Sequence, residues 1–221
     1  MVFQAIIAQM PPHDTYIETH LGSGVVMRAK PAAARSIGID LDPSVASLFP
    51  GGAGVEIHSC DCIDFLETFD FASAGRVLVY ADPPYVAATT TSSKRYRCDY
   101  TDADHVRLIG ALRRAPAMVI LSGYPSRLYD ALLSDWRTIE MQAMTRGGVR
   151  TEKVWMNFAA GAVQWARFAG QGFTDRQRIK RKAARWAANY RGLSAGERLA
   201  VLAAILAEEA VPGASTIDAG G

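Results

Sequence analysis

Apolar residues along the first two thirds of the chain fall into short runs separated by turn-forming and charged residues. The runs are TYIE (15–18), SIGI (36–39), VEIH (55–58), RVLVY (76–80), AMVIL (117–121), WRTIEMQAM (136–144) and TEKVWMNF (151–158). Each is short, rich in β-branched or aromatic residues and bounded by Gly, Pro, Asp or Ser, which predicts strands. Helix signals lie between several of them. Asp42 followed by Pro43 reads as an N-cap with a first-turn proline, for a short helix ending near Phe49. Thr101 with Asp104 reads as a capping box, and Pro116 stops the helix it opens. Ser126 starts a third helix, RLYDALLSD. Strands alternating with helices predict an α/β fold with a parallel sheet covered on both faces. The last two runs, separated by TRGGVR, pair as a hairpin and bring an antiparallel strand to the edge or inside of that sheet.

Beyond about Phe158 the pattern changes. AAGAVQWARFAGQG is small and Gly-rich, and the remainder has helical periodicity. Ile179, Ala183, Trp186 and Tyr190 form an apolar stripe, with Arg178, Arg181, Lys182 and Arg185 as a basic stripe beside it. Gly192 suits a helix C-terminus, and Ser194 with Glu197 makes a capping box for a last helix. The organisation read from this is a first domain over 1–160 and a basic helical extension over 161–221 that ends in a disordered tail.

The chain has 221 residues, 49% of them hydrophobic and 21% charged, which is globular composition. The 24 Lys and Arg against 22 Asp and Glu leave a net charge of +2, so affinity for a polyanion has to come from uneven placement of charge. Placement is uneven in residues 171–191, with seven basic residues against one Asp. Cys60, Cys62 and Cys98 include no second close pair for a zinc site and no disulfide framework. No metal is therefore expected. With no export signal and no long apolar stretch, the reading is a soluble cytoplasmic protein without a membrane partner.

The candidate chemistry sits where strands end. YADPPY (80–85) places Asp82 at the tip of an apolar strand, followed by Pro83 and Pro84, which hold the backbone extended and rigid. The first strand carries Glu18 and runs into THLGSG, whose Gly22 and Gly24 open a helix. The second strand ends in Asp40, and the third leads to Asp61. Singly, each has a plain structural explanation: steric glycines in a βα turn, an N-cap aspartate. Together they put four polar tips on the C-terminal edge of one sheet, where open α/β sheets bind ligands.

In these motifs the chain resembles the Dam-like DNA adenine N6-methyltransferases of bacteria and their phages. The resemblance covers roughly residues 10–158 and is carried by ADPPY (81–85), YIETHLGSG (16–24), IGIDLDP (37–43) and SCDCIDFL (59–66). YRCDYTDADH (96–105), LSGYPSRLYDALL (121–133) and EKVWMNF (152–158) look like later family blocks. It implies a Rossmann-like S-adenosylmethionine-dependent methyltransferase fold, with a mostly parallel seven-stranded sheet and one antiparallel strand. It also implies transfer of a methyl group from S-adenosylmethionine to the N6 amine of adenine in DNA. By the same resemblance Asp82, Pro83, Pro84 and Tyr85 are catalytic. The adenine amine is a poor nucleophile because its lone pair is delocalised into the ring, and acceptors at Asp82 and the Pro83 carbonyl draw it out of conjugation. Tyr85 offers a face to a flipped base.

Glu18, Leu21, Gly22, Ser23 and Gly24 would hold the methionine part of the cofactor, Asp40 and Leu41 its ribose region, and Asp61 and Cys62 its adenine, with Asp82 at the junction. Lys94, Arg95, Tyr96 and Arg97, the hairpin residues Arg146 and Arg150, and Arg178, Arg181, Lys182 and Arg185 are the candidate nucleic-acid contacts. The four histidines are read as surface or structural groups, with His105 of most interest because it falls in a family-like block. Thr19 and His20 replace the Pro and Phe of the family pattern, and the usual Gly-Lys segment ahead of the first strand is missing. Two alternatives stay open: an RNA or cytosine amino-methyltransferase, and a catalytically silent DNA-binding relic of a phage methylase.

Overall fold

The computed structural model describes residues 2–49, 55–86, 100–145, 148–160, 170 and 173–210. It divides into two compact units, Met1–Ala169 and Gly170–Gly221.

The first unit is built on strands β1 (Thr15–Glu18), β2 (Arg35–Asp40), β3 (Val55–Ser59), β4 (Val77–Ala81), β5 (Met118–Gly123), β6 (Arg137–Thr145) and β7 (Gly148–Met156). They form one sheet of order β3-β2-β1-β4-β5-β7-β6. β1 to β5 pair in parallel, and β7 is antiparallel to both β5 and β6. The expected hairpin therefore enters the sheet: β7 lies inside and β6 takes the edge. This is the mostly parallel, seven-stranded Rossmann-like arrangement with one antiparallel strand.

Helices cover both faces, as the alternation of elements requires. On one side α3 (Cys62–Thr68), α4 (Asp102–Arg114) and α5 (Arg127–Leu132) contribute Ile63, Leu66, Leu108, Ile109, Leu112 and Tyr129 to a core against Ile17, Ile37, Val79, Leu121 and Trp155. On the other, α1 (Val2–Ile7) and α2 (Val25–Ala29) pack Ile6, Ile7 and Val26 against Tyr16, Leu78, Ile120, Val154 and Met156. Alternate residues of each strand thus serve opposite cores.

The helix ends follow the sequence signals. Thr101 accepts from the Asp104 N–H while Asp104 accepts from the Thr101 N–H, and α4 stops two residues before Pro116. The Ser126 hydroxyl caps α5 through the Tyr129 N–H at 3.2 Å. One expectation needs correction. The segment after Asp42 is a turn and a three-residue 3-10 helix, Ala46–Leu48. Asp42 accepts from the Ser44 N–H and hydroxyl, and the Ser47 hydroxyl bonds the Ser44 carbonyl, so side chains take hydrogen bonds that an α-helix would need. Conversely, the apolar run at the N-terminus forms α1, whose Ile6 and Ile7 are buried.

The second unit contains α6 (Phe173–Arg191) and α7 (Ala195–Ala210). Gly192 follows α6, and Ser194 with Glu197 forms the predicted capping box at 2.8 and 3.4 Å. No residue of α6 is buried, and Trp186, placed on the apolar stripe, is 59% exposed. The tail beyond 210 lies outside the described residues.

Candidate active site

A cavity of about 930 Å³ opens at the C-terminal edge of β1, β2 and β4, the upper end of the range for small-molecule sites, roughly 300–1,000 Å³. Glu18, Leu21, Gly22, Ser23, Asp40, Leu41, Asp61, Cys62, Asp82, Pro83, Pro84 and Tyr85 all line it. The ends of β1, β2, β3 and β4 contribute together with Ser122, Gln142 and Glu152, so the topology assembles residues distant in sequence, including Tyr85 and Glu152, which are in direct contact. Gly24 does not line it. Its φ of 59° turns the chain into α2, and the Phe49 ring packs where a side chain would stand, so its role is steric.

Gly22, with φ 46° and open space where a Cβ would be, leaves backbone free to approach a ligand. Its N–H donates to Asp40 Oδ2 at 2.8 Å, and the Asp42 N–H donates to Asp40 Oδ1 at 2.9 Å. Asp40 thus shapes the glycine loop, and each oxygen keeps a lone pair for a ligand hydroxyl. Leu41 beside it is 52% exposed at the cavity. Asp61 caps α3 by accepting from the Ile63 N–H at 2.7 Å through Oδ1. Glu18 is buried at 3% exposure and accepts from the Tyr16 hydroxyl at 2.8 Å. Burial pushes its carboxyl up to about 8, against the pull of the Tyr16 bond. A buried carboxyl facing a cavity is suited to a cationic ligand group, which would restore its charge. These residues fit S-adenosylmethionine: a glycine cradle, an acid for the ammonium, an acid for the ribose and a polar helix start for the purine.

The other half of the cavity surrounds Asp82. The Ser122 hydroxyl donates to Asp82 Oδ1 at 2.8 Å, and the Tyr80 hydroxyl lies 2.9 Å from Ser122 Oγ. Since a serine hydroxyl has one proton, Tyr80 donates to Ser122 and Ser122 to Asp82. Asp82 is open to the cavity, and the protein packed around it raises its carboxyl above the usual range by desolvation, against the Ser122 and Tyr80 bonds. Tyr85 stacks on Tyr124 at 3.9 Å between centroids and 10° between planes, so one face of Tyr85 is taken and one remains. Its hydroxyl donates to Glu152 Oε1 at 3.0 Å. Arg150, two residues along β7, lies 5.7 Å over the Tyr124 ring.

A third wall is aromatic and thiol. His20 sits 3.1 Å from the Tyr100 hydroxyl and 3.7 Å from Cys62 Sγ. Burial lowers its pKa to about 3, so it is neutral, and burial raises the Cys62 thiol to about 11. His105 is fully buried, bonded to the Tyr129 hydroxyl at 2.8 Å, and is a core residue. Val2, Phe3 and Ile6 of α1 also line the cavity.

Several site residues escaped the sequence reading: Tyr80, Tyr100, Ser122, Gln142, Glu152 and the α1 residues. Ser122 carried a signal, a polar residue inside an apolar strand, and Glu152 lies in the EKVWMNF block. Lys94, Arg95, Tyr96, Arg97 and Arg146 lie outside the described residues. In the second unit Arg178 pairs with Asp175 at 2.7 Å, while Lys182 and Arg185 are exposed and make no ion pair among the described residues. Among the described residues no cluster is placed to hold a metal, and no helix is long and apolar enough to cross a membrane.

No protein-family profile and no curated protein sequence matches the chain. Solved structures do. An N-methyltransferase, NodS, from Bradyrhizobium japonicum is 10% identical over 71% of this chain and 93% of its own, with a TM-score of 0.48. An O-methyltransferase of tomaymycin synthesis from Streptomyces achromogenes, solved with SAM, is 15% identical over 69% of this chain and 77% of its own, with a TM-score of 0.47. The 23S rRNA methyltransferase ErmE is 13% identical over 87% of both chains, with a TM-score of 0.46. Likenesses this distant carry nothing about the acceptor.

Proposed function

We propose that the first unit binds S-adenosylmethionine and methylates the N6 amine of adenine in DNA. The observation that carries this reading is Asp82, held by Ser122 and Tyr80 on the far side of the same cavity that contains Gly22, Asp40 and Glu18. The cofactor supplies an electrophilic methyl on a sulfonium. Asp82 and the Pro83 carbonyl accept the two amine hydrogens and aim the nitrogen lone pair at that methyl. With S-adenosylmethionine bound, the methyl would pass to the nitrogen as its bond to sulfur broke, and the nitrogen would then shed one proton. Asp82, whose carboxyl is already raised, is placed to receive it. The open face of Tyr85 stacks the extruded base, because the amine is out of reach inside a duplex.

The test is incubation of the protein with DNA and methyl-labelled S-adenosylmethionine, followed by nucleoside analysis. Labelled N6-methyladenine from DNA, absent with Asp82→Ala, is the expected result. Label in RNA alone, or in cytosine, replaces the acceptor. Absence of cofactor binding by calorimetry makes the protein a relic.

The basic stripe of α6 supports contact with DNA phosphates. Replacing Arg178, Arg181, Lys182 and Arg185 together by Gln should weaken binding to any sequence and flatten the salt dependence by about 0.9 in slope per lost contact. An unchanged slope in a folded variant removes the stripe from the interface.

A further inference from the structure

We propose that Glu152 reads the acceptor base, donating a hydrogen bond from its free carboxyl oxygen to the ring nitrogen beside the target amine. The inference rests on the reading of the cavity as a site of methyl transfer to an exocyclic amine.

Glu152 lies on β7, is 8% exposed and lines the cavity. Oε1 accepts from the Tyr85 hydroxyl at 3.0 Å, and Oε2 has no hydrogen-bond partner among the described residues. Among the described residues His105 Nε2 is the sealed, unpartnered side-chain polar atom, whereas Glu152 lines the cavity. The residue is therefore a buried carboxyl with one oxygen spoken for and one offered to a ligand.

The stack fixes where that oxygen sits relative to a base. Tyr124 covers one face of Tyr85, so a base stacks on the other. Because the Tyr85 hydroxyl projects in the plane of its ring, its partner Glu152 stands at the rim of the stack, beside the edge of the base rather than over its face. The amine on that edge has two hydrogens, and Asp82 with the Pro83 carbonyl takes both. What remains beside the amine is a ring-nitrogen lone pair, an acceptor. An ionised carboxylate there would be repelled, whereas a neutral carboxyl accepts from Tyr85 at one oxygen and donates to the base from the other.

The surroundings favour the neutral form. Burial is the largest influence raising the Glu152 carboxyl, and neighbouring Asp82 adds to it, while the Tyr85 bond pulls the other way. The titratable groups facing it are Asp82, Tyr85 and Tyr80. Arg150, on the same strand face, is directed over Tyr124. The donor arrangement selects amines flanked by a ring nitrogen, the amino-nucleobases, over simple amines.

The experiment uses the full chain and the site mapped by sequencing DNA that the wild type has methylated. Synthetic duplexes carry adenine, 7-deazaadenine or 1-deazaadenine at that position. The wild type should lose on the order of tenfold to a hundredfold in kcat/KM on one deaza substrate, the cost of leaving a buried donor unpaired, and little on the other. Glu152→Ala should fall by a similar factor on adenine and no longer distinguish the two bases, which closes a double-mutant cycle. Glu152→Gln, which keeps an acceptor for Tyr85 and a donor for the base, should keep the discrimination. The adenine preference of the wild type should decline as pH rises, and that of Glu152→Gln should not. A purely structural role lowers both substrates alike. Equal use of all three bases by the wild type, or undiminished discrimination in folded Glu152→Ala, overturns the proposal while leaving the methyl-transfer reading intact. Absence of methylation on every substrate removes that reading as well.

Discussion

The two faces of the central sheet are built from the same strands and do different work. On the face toward α3, α4 and α5, the residues Ile17, Val79, Ala81, Leu121 and Trp155 are all fully buried and apolar. On the face toward α1 and α2 the sheet starts apolar, with Leu78, Ile120, Val154 and Met156, then turns polar at one end with Tyr16, Glu18, Tyr80, Asp82, Ser122 and Glu152. Leu121 and Ser122 are neighbours in sequence and sit on opposite sides of this division. The apolar face anchors the strands, so the polar ends can be held in fixed geometry despite burial. Each polar group is bonded to another: Tyr16 to Glu18, Tyr80 to Ser122 to Asp82, Tyr85 to Glu152. The raised carboxyls show the cost, since three acids are kept where their charged forms are disfavoured.

The comparison breaks most visibly at Leu121. Leu121→Ala should reduce unfolding free energy by about 2–5 kcal/mol, the usual result of truncating a fully buried leucine. Urea unfolding measures it, and the folded fraction should keep normal turnover per molecule. A loss below about 1 kcal/mol would mean the apolar face is not the anchor.

Asp82→Ala tests the opposite face. Turnover should fall at least a hundredfold, about 2.7 kcal/mol of barrier, with cofactor affinity and urea midpoint nearly unchanged. A variant that unfolds as readily as Leu121→Ala would show the polar row to be part of the structural core.

Glu18 sharpens the comparison through pH. Its carboxyl is raised to about 8 in the folded protein, above its ordinary 4.5. Between those values the folded state holds a proton that the unfolded state has released. The stability this provides is fully present below about pH 4.5 and is lost as pH rises through about 8. Glu18→Gln should remove up to about 1.4 kcal/mol per pH unit of that decline, measured by urea unfolding between pH 5.5 and 7.5. The remaining slope combines Asp82 and Glu152, raised and acting in the same direction, with His13, His20 and His105, whose lowered pKa values act in the opposite one. An unaltered slope would mean that Glu18 is ionised and solvated.

The smallest effect is expected at Tyr80. Tyr80→Phe keeps the ring in its core and removes only the donor to Ser122, so turnover should fall severalfold, roughly 0.5–1.5 kcal/mol of barrier. Stability should change by a similar amount or less. A loss as large as that of Asp82→Ala would make the hydroxyl a direct participant.

Local signals led to most of the fold. β1 spans the four residues TYIE, the capping boxes at Thr101 and Ser194 formed as written, and the strand-helix alternation led to the mostly parallel sheet. The exceptions have different causes. The Asp42 segment has a good cap and a proline, but its serines compete for its backbone. The N-terminal run has apolar residues and no cap, and becomes α1 through burial of Ile6 and Ile7. Within the site, Asp82, Asp40, Asp61, Glu18 and Gly22 were legible because each stands at a strand end beside turn-forming residues. Gly24 was half legible: its conformation was evident, but Phe49, which packs against it, is 25 positions away and carries no mark of that role.

The sequence by itself determined the strands, the caps, the parallel topology and which strand ends carry acids, because these depend on residues within a few positions of one another. Only the tertiary structure decided the partners. Ser122 reaches Asp82 across 40 positions and Tyr85 reaches Glu152 across 67. The hairpin was readable, but its entry between β5 and the edge is what brings Glu152 beside Tyr85. A strand's alternation says that Glu152 and Val154 share a face; it does not say which strand lies next to it, and hydrogen-bond geometry to a distant residue depends on that neighbour.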